Sequence, residues 1–233
     1  MNRRRLEAIL RPIPASLLEI LFPTRCAACG SPGAIWCAEC RNRVVRPEGR
    51  VCLACGRILT RSSARHRCSS STSWAVAGAR YQYPVDRLLT YLKYRPDERL
   101  ARALAVCMEE ALRESSAVFT CIVPVPLGAK RERQRGYNQA ELLGRALARS
   151  MLRPLVPRAA ARVRETASQV GLDPVARRSN VAGAFRGDPD LVRGHSILLV
   201  DDVHTTGATL ASCAEALLLA GADDVVGATV ARA

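Results

Sequence analysis

The chain has 233 residues, enough for one full domain and a smaller module at a prior of roughly 150 residues per domain. Apolar residues at 48% and charged residues at 24% exclude disordered, collagen-like and coiled-coil classes. A net charge of +14 favours anionic ligands or surfaces such as phosphates, nucleic acid or acidic lipid. That excess is uneven: residues 1–72 hold 13 Arg, no Lys and only 4 acids.

The chain opens with Arg3, Arg4 and Arg5 ahead of apolar residues, but Pro12, Pro14 and Glu19 interrupt any signal-peptide core. No stretch approaches the ~20 apolar residues of a membrane span. The expectation is a cytoplasmic protein without membrane insertion, in which Leu17–Phe22 forms a short amphipathic helix.

Six cysteines then fall into three C-x-x-C pairs, Cys26/Cys29, Cys37/Cys40 and Cys52/Cys55. Each such turn puts two sulfurs on one side of a knuckle, and two facing knuckles complete the tetrahedron that Zn²⁺ prefers. Cys26, Cys29, Cys37 and Cys40 are therefore expected to bind a structural zinc. The third pair lacks a fourth C-x-x-C. It finds partners only in His66 and Cys68, leaving open a Cys₃His site, a metal-free ribbon, or a crossed pairing with the first cysteines. Cys107, Cys121 and Cys213 lie in apolar runs and are expected in the core.

A polar run at Ser69–Ser73 marks the expected boundary between a zinc-ribbon module, 1–72, and a second domain, 73–233. Residues 74–83 alternate weakly as a strand. Val85, Leu88, Leu89 and Leu92 stand at i, i+3, i+4, i+7 and predict a helix, followed by another over 98–114. The apolar run 118–125 suits a buried parallel strand. Residues 130–137 are predicted as an Arg-rich linker before a helix whose capping box pairs Asn138 with Glu141. The polar stretch 157–187 predicts a long loop or mobile arm. A strand at 197–200, a helix at 208–220 and a last strand at 225–230 complete an α/β pattern, which implies a parallel sheet flanked by helices.

The most informative run is ILLVDDVHTTGATL, from Ile197 to Leu210. An apolar strand delivers two carboxylates, Asp201 and Asp202, suited to a sugar diol or Mg²⁺. The following loop offers the hydroxyls of Thr205, Thr206 and Thr209, a flexible Gly207, and a helix N-terminus, a combination suited to one phosphate. No GxxxxGK[ST], GxGxxG or GxSxG is present, which removes the main support for triphosphatase, dinucleotide-dehydrogenase and serine-hydrolase readings.

ILLVDDVHTTGAT resembles the 5-phosphoribosyl-1-pyrophosphate (PRPP) motif of type I phosphoribosyltransferases. More narrowly, the chain resembles the ComF family, the ComFC and GntX group of phosphoribosyltransferase-like proteins. The likeness runs through LLEILFPTRCAACG, Leu92-Lys93-Tyr94-Arg95, VPVPLGAKRERQRGYNQAELLGRALA, and Arg164, Thr166, Gln169, Arg177, Asn180 and Phe185. Two departures are the incomplete second ribbon and His204, at a position more often apolar.

The resemblance implies a type I phosphoribosyltransferase fold in which Asp201 and Asp202 meet the ribose hydroxyls, directly or through Mg²⁺. Thr205, Thr206, Gly207, Ala208 and Thr209 would hold the 5-phosphate, with Val203 and His204 also counted in the PRPP-binding run. It also implies pyrophosphate donors among Lys130, Arg131, Arg133 and Arg135, with Arg164 and Arg177 as a mobile hood. Tyr137, Asn138 and Gln139 would face the acceptor or pyrophosphate, although capping explains Asn138 equally well. The implied activity is transfer of phosphoribosyl from PRPP to a nitrogen acceptor. The alternative is a competence-type protein that handles single-stranded DNA and binds PRPP without turnover.

Overall fold

A computed structural model describes residues 23–60, 66, 68, 73–164 and 181–233. The expected helix at Leu17–Phe22 and the residues Thr166, Gln169, Arg177 and Asn180 lie outside the described residues. In chain order the elements are α1 (Ala38–Asn42), β1 (Arg50–Cys52), β2 (Ile58–Leu59), β3 (Trp74–Arg80), α2 (Val85–Tyr94) and α3 (Glu98–Ser115). They continue with β4 (Cys121–Pro124), α4 (Ala129–Arg135), α5 (Gln139–Met151), β5 (Ala160–Arg162) and β6 (Phe185–Gly187). The last four are α6 (Pro189–Val192), β7 (Ser196–His204), α7 (Ala208–Leu219) and β8 (Asp224–Arg232).

Six strands form one sheet in the order β2-β1-β3-β8-β7-β4. β3, β8, β7 and β4 run parallel, and β7 holds β8 over nine-residue strands on both sides. Successive residues on a strand point to opposite faces. Accordingly Leu198 and Val200 enter one core with α2, α3 and α5, while Ile197 and Leu199 enter a second core with α7. The continuous apolar run needed to cover both faces explains why β7 was legible as a buried strand. The architecture is mixed α/β with a mainly parallel sheet and an N-terminal cysteine-bearing ribbon.

The ribbon does not stand apart. β1 pairs antiparallel with β3, with Val51 opposite Ala75 and Cys52 opposite Trp74, so the sheet runs across the position at which the sequence changes character. Cys26, Trp36 and Cys40 belong to the same buried cluster as Leu88, Met108 and Leu112.

Two expectations are corrected. Residues 130–137 are not a linker: Ala129–Arg135 is helix α4, opened by Gly128 and closed by Gly136 at φ +77°. Lys, Arg, Glu and Gln are good helix formers, but none of the seven residues is buried, so the segment carries no apolar period to betray it. Nor is all of 157–187 loop. Pro157–Ala159 makes a single 3₁₀ turn, and β5 pairs antiparallel with β6, Ala161 opposite Arg186. This ribbon is recognised only through its packing, in which Ala160 and Phe185 join the α7 core. Among the described residues no helix is long and apolar enough to cross a membrane.

Candidate functional site

The parallel strands deliver their carboxyl ends to a cleft of about 780 Å³, where ligands of open α/β sheets sit. Asp201, Asp202 and Val203 at the end of β7, with Thr205 and Thr209 after it, form one wall. Each carboxylate is oriented by the next amide. Asp202 N–H donates to Asp201 Oδ1 at 2.9 Å, and Val203 N–H to Asp202 Oδ1 at 2.7 Å. Burial, then the neighbouring Asp202 charge, holds the Asp201 carboxyl well above its ordinary value. A cation or a pair of hydroxyl donors at this position would relieve both causes.

The loop turns at Gly207, which has φ +75° and opens the twelve-residue α7 without a side-chain cap. Glycine is required twice over, because a β-carbon here would also come within 2.6 Å of His204 Nε2. The imidazole is 6% exposed, neither ring nitrogen has a partner, and burial lowers its pKa below the ordinary histidine value of 6.5. A depressed folded-state pKa means that stability is fully present above 6.5 and is lost as pH falls through the folded value. We therefore expect His204→Leu to raise stability by about 1 kcal/mol by removing an unsatisfied buried group. It should also flatten the fall in melting temperature below pH 6.5. An unchanged acid limb would show that another group controls it.

The opposite wall comes from α4 and α5. Arg131 and Arg135, one turn apart on α4, line the cleft, whereas Lys130 and Arg133 do not. Asn138 Oδ1 accepts from Ala140 N–H at 3.0 Å and its Nδ2 donates to Val125 O at 2.9 Å, so capping and docking occupy it. Glu141 does not close the expected box; it pairs with Arg145 at 2.8 Å. Gln139 lines the cleft at 3% exposure with no partner for its amide nitrogen. Tyr137 faces elsewhere, donating its hydroxyl to Leu92 O at 2.6 Å.

The remaining wall is α2 and the turn before it, with Tyr81, Thr90, Lys93 and Tyr94. Arg162 of β5 completes the lining, its guanidinium 5.2 Å from the centre of the Phe185 ring. Nothing in the sequence singled out Tyr81 or Arg162: each lies in a stretch without local signature and reaches the cleft through packing. Of the expected residues, His204, Thr206, Gly207 and Ala208 shape the loop without lining the cleft. Arg164 donates to Ala182 O at 2.6 Å outside it, and Arg177 is not among the described residues.

The cysteines form two clusters. The ligand atoms of Cys26, Cys29, Cys37 and Cys40 lie within 4.8 Å of one another, as do those of Cys52, Cys55, His66 and Cys68. Zinc–sulfur bonds of about 2.3 Å give a tetrahedron with edges of about 3.8 Å; the Cys29 and Cys37 sulfurs are 3.7 Å apart. Replacing one sulfur by a ring nitrogen shortens that edge to about 3.6 Å, and Cys55 Sγ lies 3.6 Å from His66 Nε2. Burial pushes the Cys40 thiol up to about 12, so a thiolate there needs a cation, while hydrogen bonds from Ser31 bring Cys29 down to about 6. Both donor sets fit structural zinc, each knuckle pairing within its own half. Cys121 and Cys213 are buried, as expected of core residues, and Cys107 is half-buried.

A double zinc ribbon domain matches residues 17–70. The DNA utilization protein YhgH of Escherichia coli O157:H7 is 34% identical over 219 residues, covering 88% of this chain and 96% of its own length. Competence protein F of Haemophilus influenzae is 29% identical, covering 84% and 96% respectively. Among solved structures, the glutamine PRPP amidotransferase of B. subtilis, complexed with ADP and GMP, covers 61% of this chain and 30% of its own. That likeness, at a TM-score of 0.42 and 17% identity, is too loose to argue from. Sequence identity over nearly the full length, the ribbon and the strand-loop-helix site converge: this chain belongs to the ComF family of competence and DNA utilization proteins.

Proposed function

We propose that the cleft binds PRPP and that the protein transfers its phosphoribosyl group to a nitrogen acceptor in the cytoplasm. The observation that carries this reading is that the acid pair and threonine loop of β7 face Arg131 and Arg135 across one cleft. Acids, a threonine-bearing loop and arginines that line one cavity suit a pentose with a phosphate at one end and a pyrophosphate at the other. Thr205, Thr209 and the N-terminus of α7 would hold the 5-phosphate, and Asp201 and Asp202 the ribose hydroxyls.

In the reaction the acceptor nitrogen bonds to ribose C1 as the C1–O bond to pyrophosphate breaks, through an oxocarbenium-like state. The protein's tasks are to orient the two partners, receive the charge of the leaving group and exclude water. Arg131 and Arg135, which line the cleft, would receive it, and the Gln139 amide would donate to a ligand oxygen. Mg²⁺, when bound, would supply further neutralisation of the phosphates, with Asp201 and Asp202 as its protein ligands. The division at residues 72 and 73 is then one of task rather than of packing.

The direct test is pyrophosphate release from PRPP with Mg²⁺ across a panel of nitrogen acceptors, alongside thermal stabilisation by PRPP alone. Stabilisation without release under any acceptor would leave PRPP binding without turnover.

A second reading rests on a separate observation. Tyr94 is 70% exposed and Tyr81 43% exposed, and both line the same cleft as Lys93, Arg131 and Arg135, a grouping of rings and cations suited to single-stranded nucleic acid. The printed names of the relatives, DNA utilization protein and competence protein, point the same way. We expect salt-sensitive binding of a single-stranded oligonucleotide that survives Asp201→Asn with Asp202→Asn. Tyr81→Ala with Tyr94→Ala should weaken it by about 1–3 kcal/mol per stacked base. Unchanged affinity in the tyrosine variant would reject this reading.

A further inference from the structure

We propose that Tyr83 is a positioning residue that ties the first metal knuckle to the wall of the cleft. Its hydroxyl would donate to the metal-bound Cys40 thiolate and so set the turn that carries Tyr81. The turn between β3 and α2 is short and is held from both sides. On the sheet side, Tyr81 N–H donates to Arg232 O at 2.8 Å. On the ribbon side, Arg80 N–H donates to Val45 O at 2.7 Å, and Tyr83 Oη lies 3.6 Å from Cys40 Sγ. Tyr81 lines the cleft two residues before Tyr83.

Cys40 is 2% exposed and lies within the core cluster that also contains Val85, the first residue of α2. It is therefore a fixed anchor, whereas the turn is exposed. Groups that bond to metal ligands from the second layer fix ligand geometry, and a hydroxyl that donates to a thiolate also draws charge from it. Here the bond has a second end: whatever holds the sulfur in place also holds residues 81–84. The link itself is independent of what the cleft binds. Its consequence at Tyr81 rests on the ligand reading above.

The test uses the full chain with its ribbons metal-loaded and compares Tyr83→Phe with the unmodified protein. With cobalt in place of zinc, the sulfur-to-metal charge-transfer band should shift in Tyr83→Phe, because a hydrogen bond to a thiolate lowers its donor strength. With zinc bound, amide exchange across residues 81–86 should rise roughly threefold, while the amides of β7 keep their protection. An unchanged cobalt spectrum would overturn the bond, and unchanged exchange at 81–86 would overturn the positioning role. A uniform rise across all protected amides would likewise overturn it, since that marks general destabilisation. Neither readout involves PRPP, so failure of PRPP to stabilise the protein leaves this result separate.

Discussion

Replacing Asp201 and Asp202 together with asparagine is expected to raise the melting temperature of the ligand-free protein and to abolish the gain produced by PRPP with Mg²⁺. The first effect follows from Asp201, whose carboxyl is held well above its ordinary value by burial and by the Asp202 charge. A raised folded-state pKa means that stability is fully present below the ordinary carboxyl value of 3.8 and is lost as pH rises through the folded value. Asparagine has no such loss, so the variant's advantage should grow with pH across that window. The second effect follows because the same two groups are the proposed contacts of the ribose and its cation. At free ligand about a hundredfold above its Kd, the unmodified protein should gain about 2.7 kcal/mol. For a chain of this size that is roughly 5–10 °C. No gain in the unmodified protein would reject the PRPP site, and a gain that survives both substitutions would remove the acids from it. Greater stability without ligand and lost response with it are the expected pair for a site that strains the fold in order to bind.

Removal of zinc is expected to destabilise the whole chain rather than release a loose tail, lowering the melting temperature by roughly 10 °C or more. The basis is packing. Cys26, Trp36 and Cys40 are buried in the core shared with α2 and α3, and β1 extends the main sheet through β3. Without a metal, the buried Cys40 thiol holds its proton, and the two knuckles lose the ion that ties their four sulfurs together. Metal analysis should find two zinc per chain, falling to one in His66→Ala, since His66 completes the second donor set. A single zinc in the unmodified protein would mean that Cys52, Cys55, His66 and Cys68 form a metal-free ribbon. A separate low-temperature transition on chelation, with the main one unmoved, would show that the ribbon folds independently.

Much of the site was legible because its chemistry is local. Asp201, Asp202, Thr205, Gly207 and Thr209 are consecutive on a strand, a turn and a helix, so their order alone brings them together. The arginines behaved differently. Four cations stand between 130 and 135, but only the helical spacing of Arg131 and Arg135 turns that pair toward the cleft. A segment with no buried residue offers no apolar period from which this could be foreseen.

What the amino-acid order determined by itself was therefore whatever depends on near neighbours: the C-x-x-C knuckles, the twofold-covered β7, and the carboxylate-threonine run that follows it. Tertiary structure decided among the pairings left open by gathering His66 and Cys68 with Cys52 and Cys55, and it alone decided that the ribbon joins the main sheet at β3 and that Arg162 and Tyr81 reach the cleft. Residues far apart in the chain meet only when burial of both sheet faces outweighs the entropy of closing the intervening loops, and no short window of sequence records that balance.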